Sequence, residues 1–270
     1  MRWILLVASL LFPGQVLASA CLTFVENWPG SVQVASLDGI APDLVAAGSE
    51  KVTISYVAHS TFRVETPENV VIATDYFGVH GRGRVPDVVT MNHAHSTHFT
   101  DFPDPEIDHV LRGWKEGGKA EHFLSVGDVL VRNVPTDLRS FGFEANGNSI
   151  FVFEIGELCI GHLGHLHHEP SEEQYAAIGR LDVVMAPVDG TYTLNLGQMI
   201  NVLKRFKARV VLPMHAFSAA GLQRFLIGME DEFEIRILES SSIQIAADSL
   251  PPVPTVMVLP SETFDPVIDD

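Results

Sequence analysis

Cysteine is scarce: Cys21 and Cys159 are the only two in 270 residues. That excludes a disulfide-dense scaffold, and no CxxC site exists. In an oxidising compartment the two can form one long-range bridge if their Cα atoms lie within roughly 7 Å. Basic residues are few as well, 17 Lys and Arg against 34 Asp and Glu, for a formal charge of −17 at pH 7. Such a surface repels phosphate backbones and anionic lipid, so neither nucleic acid nor a membrane surface is an expected partner. Past the first residues no apolar run reaches the length of a membrane span, and runs such as 210–212 and 256–259 have strand length. HExxH, GxSxG, P-loop and GxGxxG signatures are all missing, which removes the chemistries they carry as first readings.

What is present begins with a leader. Arg2 is followed by an apolar stretch over residues 3–12, broken only by Ser9, and then by Ala18-Ser19-Ala20. This reads as a secretory signal peptide over residues 1–20, cut after Ala20 and directing the chain to the periplasm or out of the cell. Cleavage there leaves Cys21 at the new N-terminus, so lipoprotein processing is the lesser alternative; Ala18 stands where a larger aliphatic is usual. Residues 21–270 are enough for one domain with a sizeable core, and no membrane insertion is expected once the leader is gone.

Short β-type runs dominate the first part of this domain, at 51–57, 61–65, 70–74 and 88–91, and again at 129–134, 150–154 and 158–160. Residues 101–128 are polar, with Pro103, Pro105 and Gly117-Gly118, and are expected to form a long loop with a short helix. From Ser171 strands alternate with helices. Ser171-Glu172-Glu173-Gln174 has the chemistry of a helix N-terminus, 181–186 is a buried strand, and Met199, Val202, Leu203 and Phe206 stand at helical spacing. A strand at 209–212, a helix at 219–229 and strands at 233–238 and 243–245 follow. The tail from Pro251 is Pro-rich and its last residues are expected to be mobile. The order suits an α/β fold, an αββα sandwich of two mixed β-sheets with helices on the outer faces.

The chemistry concentrates in histidine. Met91-Asn92-His93-Ala94-His95-Ser96-Thr97-His98 follows directly on an apolar strand. His93 and His95, two apart on extended chain, point to one side and can converge on an ion. His98 lies past a turn and can reach a second one. Neutral imidazole suits Zn, Cu, Ni or Fe. A second run holds His162, His165, His167 and His168; the last two read as a solvent-exposed tract. The tetrapeptide Ala-His-Ser-Thr occurs twice, at 58–61 and 94–97, and His59 within the first copy reads as a supporting or core histidine.

The segment 91–98 resembles the metal-binding signature of the metallo-β-lactamase superfamily, His-x-His-x-Asp-His after an apolar strand, with Thr97 where that signature has Asp. Tyr56-Val57-Ala58-His59-Ser60-Thr61-Phe62 and residues 70–75 are similar to the opening hairpin of the branch containing ascorbate-phosphate lactonase-like proteins. Leu212-Pro213-Met214-His215 resembles that branch's Pro-x-His, and the likeness covers roughly residues 50–217. The resemblance implies metal ligation by His93, His95, His98 and His215, with Asp75 orienting the metal loop by hydrogen bonding. In Ile160-Gly161-His162 a histidine occupies the place of a bridging Asp, and Val134-Pro135-Thr136-Asp137 lacks the expected histidine. An exchange in which Asp137 and His162 complete the ligand shell follows from the two substitutions.

The implied function is an exported metal-dependent hydrolase of a small-molecule ester, lactone or phosphodiester, in which one or two Zn2+ ions, or Fe or Mn, activate water toward a carbonyl or phosphoryl centre. Asp101 or Asp189 is placed to shuttle the proton. Loss of the Asp at position 97 motivates the alternative of a non-catalytic metal-binding protein on the same scaffold, and an iron redox protein stands third. Oligomeric state is not legible.

Overall fold

The computed structural model describes residues 19–22, 51–139 and 142–263. Residues 1–18 of the leader and the last residues of the tail lie outside these. The first half contains β1 (Val52–Ala58), β2 (Thr61–Glu65), β3 (Val71–Ala73), β4 (Val88–Met91), β5 (His109–Arg112), β6 (Phe123–Val126), β7 (Val129–Leu138), β8 (Glu144–Ile155) and β9 (Leu158–His162). The second half runs α1 (Glu172–Ile178), β10 (Val183–Pro187), α2 (Leu196–Phe206), β11 (Val210–Met214), α3 (Ala219–Met229), β12 (Glu234–Ile237), β13 (Ser242–Ile245) and β14 (Thr255–Val258).

The strands form two mixed sheets, a six-stranded one in the order β13-β1-β2-β3-β4-β5 and an eight-stranded one in the order β12-β14-β11-β10-β9-β8-β7-β6. Strand alternation divides the apolar residues between layers. In β8, Phe151 and Phe153 face the core between the sheets while Ile150 and Val152 face outward; in β10, Val183 and Met185 face in and Val184 and Ala186 out. The outward set of the larger sheet packs on Ile178 of α1, Met199, Val202 and Leu203 of α2, and Phe225 and Met229 of α3. The outer face of the smaller sheet is covered, among the described residues, by a small cluster of Tyr76, Met91 and Ile107 with Phe99 and Trp114 against it.

One expectation from sequence is corrected, and one apolar run of strand length is placed. Residues 101–128 are not a loop with a helix: they supply β5, parallel to β4, and β6, which forms a hairpin with β7. Both are four-residue edge strands in which only Leu111 is buried, and so carry little hydrophobic period. The Pro-rich tail contains β14, which lies between β11 and β12 and pairs with both in parallel. Its prolines flank the strand, outside the hydrogen-bonded ladder.

Cys21 and Cys159 are bridged, with Cα atoms 5.8 Å apart across a sequence separation of 138 residues. The residues around Cys21 are docked by further bonds: Arg180 N–H donates to Cys21 O at 2.8 Å and Ser19 Oγ to Glu154 Oε1 at 2.7 Å. Glu154 in turn pairs with Arg132 at 2.7 Å, and Arg132 donates to the carbonyls of Ala177 and Ile178 at the end of α1. Denatured, unreduced protein is therefore expected to show no titratable thiol, and two after reduction. Cys159→Ser is expected to cost on the order of 3 kcal/mol of unfolding free energy in denaturant titration, mainly by releasing the unfolded chain. An unchanged midpoint, or two thiols before reduction, contradicts the bridge.

Candidate metal centre

The parallel strands β3, β4, β9, β10 and β11 present their C-terminal ends on one side of the sandwich, the usual place for a site in such sheets. Asp75 follows β3, the loop 92–98 follows β4, His162 ends β9, Asp189 follows β10 and His215 follows β11. His59, in the turn from β1 to β2, joins them because His215 N–H donates to His59 O at 2.8 Å. His59, Asp75 and His215 all have left-handed backbone, with φ of 50°, 41° and 56°. Such conformations cost of order 1 kcal/mol or more for ordinary residues and persist where the surroundings impose them.

His59, His95, His98 and His215 bring one ligand atom each to within 4.8 Å of one another. The Nε2 atoms of His59, His98 and His215 are buried and have no hydrogen-bond partner. An unpaired buried polar atom costs about 1–3 kcal/mol, so three converging on one point are not a neutral packing outcome. They fit a cation: each imidazole offers a lone pair, and two are held from behind by carboxylates. His98 Nδ1–H donates to Asp75 Oδ2 at 2.6 Å and His215 Nδ1–H to Asp189 Oδ1 at 3.0 Å. A carboxylate behind the ring fixes the tautomer, aims Nε2 and raises its basicity.

Both supporting carboxylates are themselves held. Asp75 is fully buried, and its Oδ1 accepts from Asn92 Nδ2 at 2.8 Å. Asn92 Oδ1 accepts from Ser149 N–H on β8 at 2.7 Å, so one side chain ties the two sheets at the site. Gly164 is required here: with φ of +59° it sits where a Cβ would come within 2.4 Å of both Asn92 and Asn148. Asp189 accepts from Thr191 N–H at 2.8 Å, Tyr192 N–H at 2.5 Å and Thr193 Oγ1 at 2.6 Å. Burial pushes the Asp189 carboxyl up, but His215 and the Thr193 and Thr191 donors more than offset this and hold it well below its ordinary value.

The structure places the remaining sequence candidates elsewhere. His93 stacks on Trp114, with rings 4.9 Å apart, and bonds Glu144 through Nδ1 at 2.7 Å. Both nitrogens of His162 are engaged: Nε2–H donates to Ser60 O at 2.8 Å and Nδ1 accepts from Gly164 N–H at 3.2 Å. Asp137 accepts from Asn146 N–H at 3.1 Å and lies 3.7 Å from Arg139. Asp101 is exposed on the loop beyond His98. Thr97 Oγ1 bonds His95 Nδ1 at 2.8 Å, so the hydroxyl orients that ring. His165 Nε2 lies 3.2 Å from His95 Nε2 and its Nδ1 is 2.6 Å from His167 Nε2. Sequence reasoning did not count His59 among the ligands. The signal was the repeated Ala-His-Ser-Thr, since each copy delivers one histidine, His59 or His95, to the cluster.

The two-sheet sandwich with a histidine centre at its strand ends defines a class of metalloprotein, and comparison with known proteins gives its family. The family described as the beta-lactamase superfamily domain matches residues 53–215, and the chain belongs to it. A protein of Salinibacter ruber named a metal-dependent hydrolase is 23% identical over 210 residues, spanning 67% of this chain and 92% of that one. One of the same name from Thermoplasma volcanium is 23% identical over 186 residues, 61% of this chain and 83% of its own. A solved metallo-β-lactamase-superfamily structure from Thermotoga maritima superposes with a TM-score of 0.59 at 24% identity, covering 77% of this chain and 98% of that chain.

Burial lowers the pKa of His59, His95, His98, His162, His165 and His167, with His59 falling to about 2 and His167 to about 4. In the unfolded chain these rings take up protons near pH 6.5, so between there and pH 4 the unfolded state binds more protons and stability rises with pH. Asp75 and Asp182, whose carboxyls burial raises, act in the opposite sense but are outnumbered. The melting temperature of metal-free protein is therefore expected to fall steadily from pH 6.5 to 4. A flat or rising profile counts against neutral buried imidazoles. Asp75→Asn is expected to weaken Zn2+ affinity by about 10- to 100-fold in chelator competition, with the fold retained by circular dichroism. Unchanged affinity would remove Asp75 from its supporting role.

Proposed function

We propose that the chain is an exported metal-dependent hydrolase, with Zn2+ held by His59, His95, His98 and His215. The observation that carries this reading is the convergence of three buried, unpartnered imidazole nitrogens, two of them backed by carboxylates. A bound dication supplies Lewis acidity, polarising a carbonyl or phosphoryl oxygen and lowering the pKa of water. The protein's own part is to keep the imidazoles neutral and aimed, through Asp75 and Asp189. The metal-dependent hydrolases among its relatives favour the same reaction class.

A substrate surface adjoins the cluster. A cavity of about 130 Å³ over His59 and His215 shares Tyr56 and Ala216 with an apolar recess of about 490 Å³, lined in part by Met214, Leu222, Leu226 and Leu238. Phe217 and Tyr192, partly exposed, meet edge to face at 5.5 Å beside His215. This arrangement favours a small ester, lactone or phosphodiester with an apolar arm lying in the recess. Export is favoured by the leader and by the bridge, since disulfides persist in oxidising compartments. The bridge also engages the Cys21 sulfur, leaving it no valence for a thioether lipid.

Metal-stripped protein should be inactive on p-nitrophenyl esters, simple lactones and bis-p-nitrophenyl phosphate, and Zn2+ should restore turnover of at least one. Within the ester series, KM should fall as the acyl chain lengthens from acetate to octanoate. His215→Ala should abolish turnover. Metal-loaded protein that binds its ion yet hydrolyses no member of the panel would favour the non-catalytic metal-binding alternative.

A further inference from the structure

We infer that this site holds a single ion in an all-nitrogen donor set, and that the described residues leave no second metal position beside it. The inference rests on the metal-centre reading above and concerns how many ions, and of which kind, the residues can take. A second ion needs its own donors, three protein groups in ordinary catalytic sites. The groups beside the cluster do not supply a second set of three.

His93 is drawn away by Glu144 at 2.7 Å and by stacking on Trp114, and His162 has both ring nitrogens bonded to backbone. His165 bonds His167 through Nδ1, and its Nε2, 3.2 Å from His95 Nε2, can add one nitrogen to the same cluster, short of the three donors a second ion needs. Thr97 spends its hydroxyl on His95. Both oxygens of Asp75 are taken, by Asn92 and His98, and both of Asp189, by His215, Thr193 and the turn amides. Among the described residues of the site the buried unpartnered nitrogens belong to His59, His98 and His215, three of the four residues whose ligand atoms lie within 4.8 Å of one another. His80 Nδ1, also unpartnered, belongs to the loop between β3 and β4 and is outside the cluster.

Charge leads to the same count. Two dications in one site sit about 3.5–4 Å apart and need an anionic group between them to offset their repulsion. Every member of the cluster is an imidazole, and the two nearby carboxylates lie behind the rings, bonded to Nδ1. Neutral nitrogen donors also choose among ions: imidazole suits Zn, Co, Ni, Cu and Fe, whereas Mn2+ and Mg2+ favour oxygen.

The test uses full-length protein purified with its disulfide intact, stripped with chelator and titrated with Co2+ while visible absorption is followed. Zinc is counted separately by elemental analysis after dialysis. Saturation at one equivalent of Co2+ and one Zn2+ per chain is expected, with Mn2+ failing to compete at tenfold excess. His93→Ala, a change at a half-exposed residue, should keep one ion at unaltered affinity, and His59→Ala should weaken binding by at least about 10-fold, the loss that even supporting groups produce. Two equivalents taken up together, or loss of the ion in folded His93→Ala, overturns the single-ion inference and leaves the hydrolase reading standing. No ion bound by the parent protein overturns both.

Discussion

The contact on which the metal centre depends is the buried bond between the Asp75 carboxylate and His98 Nδ1, 2.6 Å long with neither side chain exposed. A carboxylate without water is costly, and it is tolerated because Asn92 and His98 satisfy it from two sides. That satisfaction fixes the direction of His98, and Asn92 carries the constraint across to β8. The relation between the sheets and the aim of a ligand are thus set by one polar cluster. Loosening any member exposes the others to an unpaired, buried charge.

Around this anchor the protein accepts unfavourable local states. Three site residues have left-handed backbone, and several histidines crowd where protonation of one disfavours that of the next. The acidic surface does not relieve this crowding, because the cluster is largely buried and the carboxylates that reach it are the two bonded to its rings. An ion held there would give the clustered lone pairs a shared partner.

Much of this was legible in the sequence, for reasons that can be named. Strands such as β1, β4 and β10 are apolar runs of ordinary length, and α2 announces itself by Met199, Val202 and Leu203 at helical spacing. β5 and β6 left little trace because edge strands bury one side weakly, and β14 showed only as an apolar run of strand length within a Pro-rich tail. At the site, His95, His98 and His215 were found by spacing and resemblance, and the structure gathers them. His93 stands in the same motif, but Trp114 and Glu144, distant in sequence, offer it a stack and a partner that spacing cannot show. His59 had the repeated Ala-His-Ser-Thr as its signal, but a histidine in a hairpin turn reads equally as a supporting residue, and the backbone bond to His215 is what brings it to the cluster. His162 and Asp137 were placed by substitution logic, and their hydrogen bonds to backbone give them positioning work instead.

The position of β14 has a consequence for how the protein is made. β11, which ends beside His215, has β10 on one side and residues 255–258 on the other. During synthesis that second neighbour is the last described strand to leave the ribosome, so this edge of β11 stays open until residues 255–258 have been made. A ribosome that stops before residue 255 releases a polypeptide in which β11 keeps β10 but has one open apolar edge, a natural target for proteases. The edge of β11 is therefore among the last parts of the larger sheet to gain its partner, and a shortened chain carries it exposed.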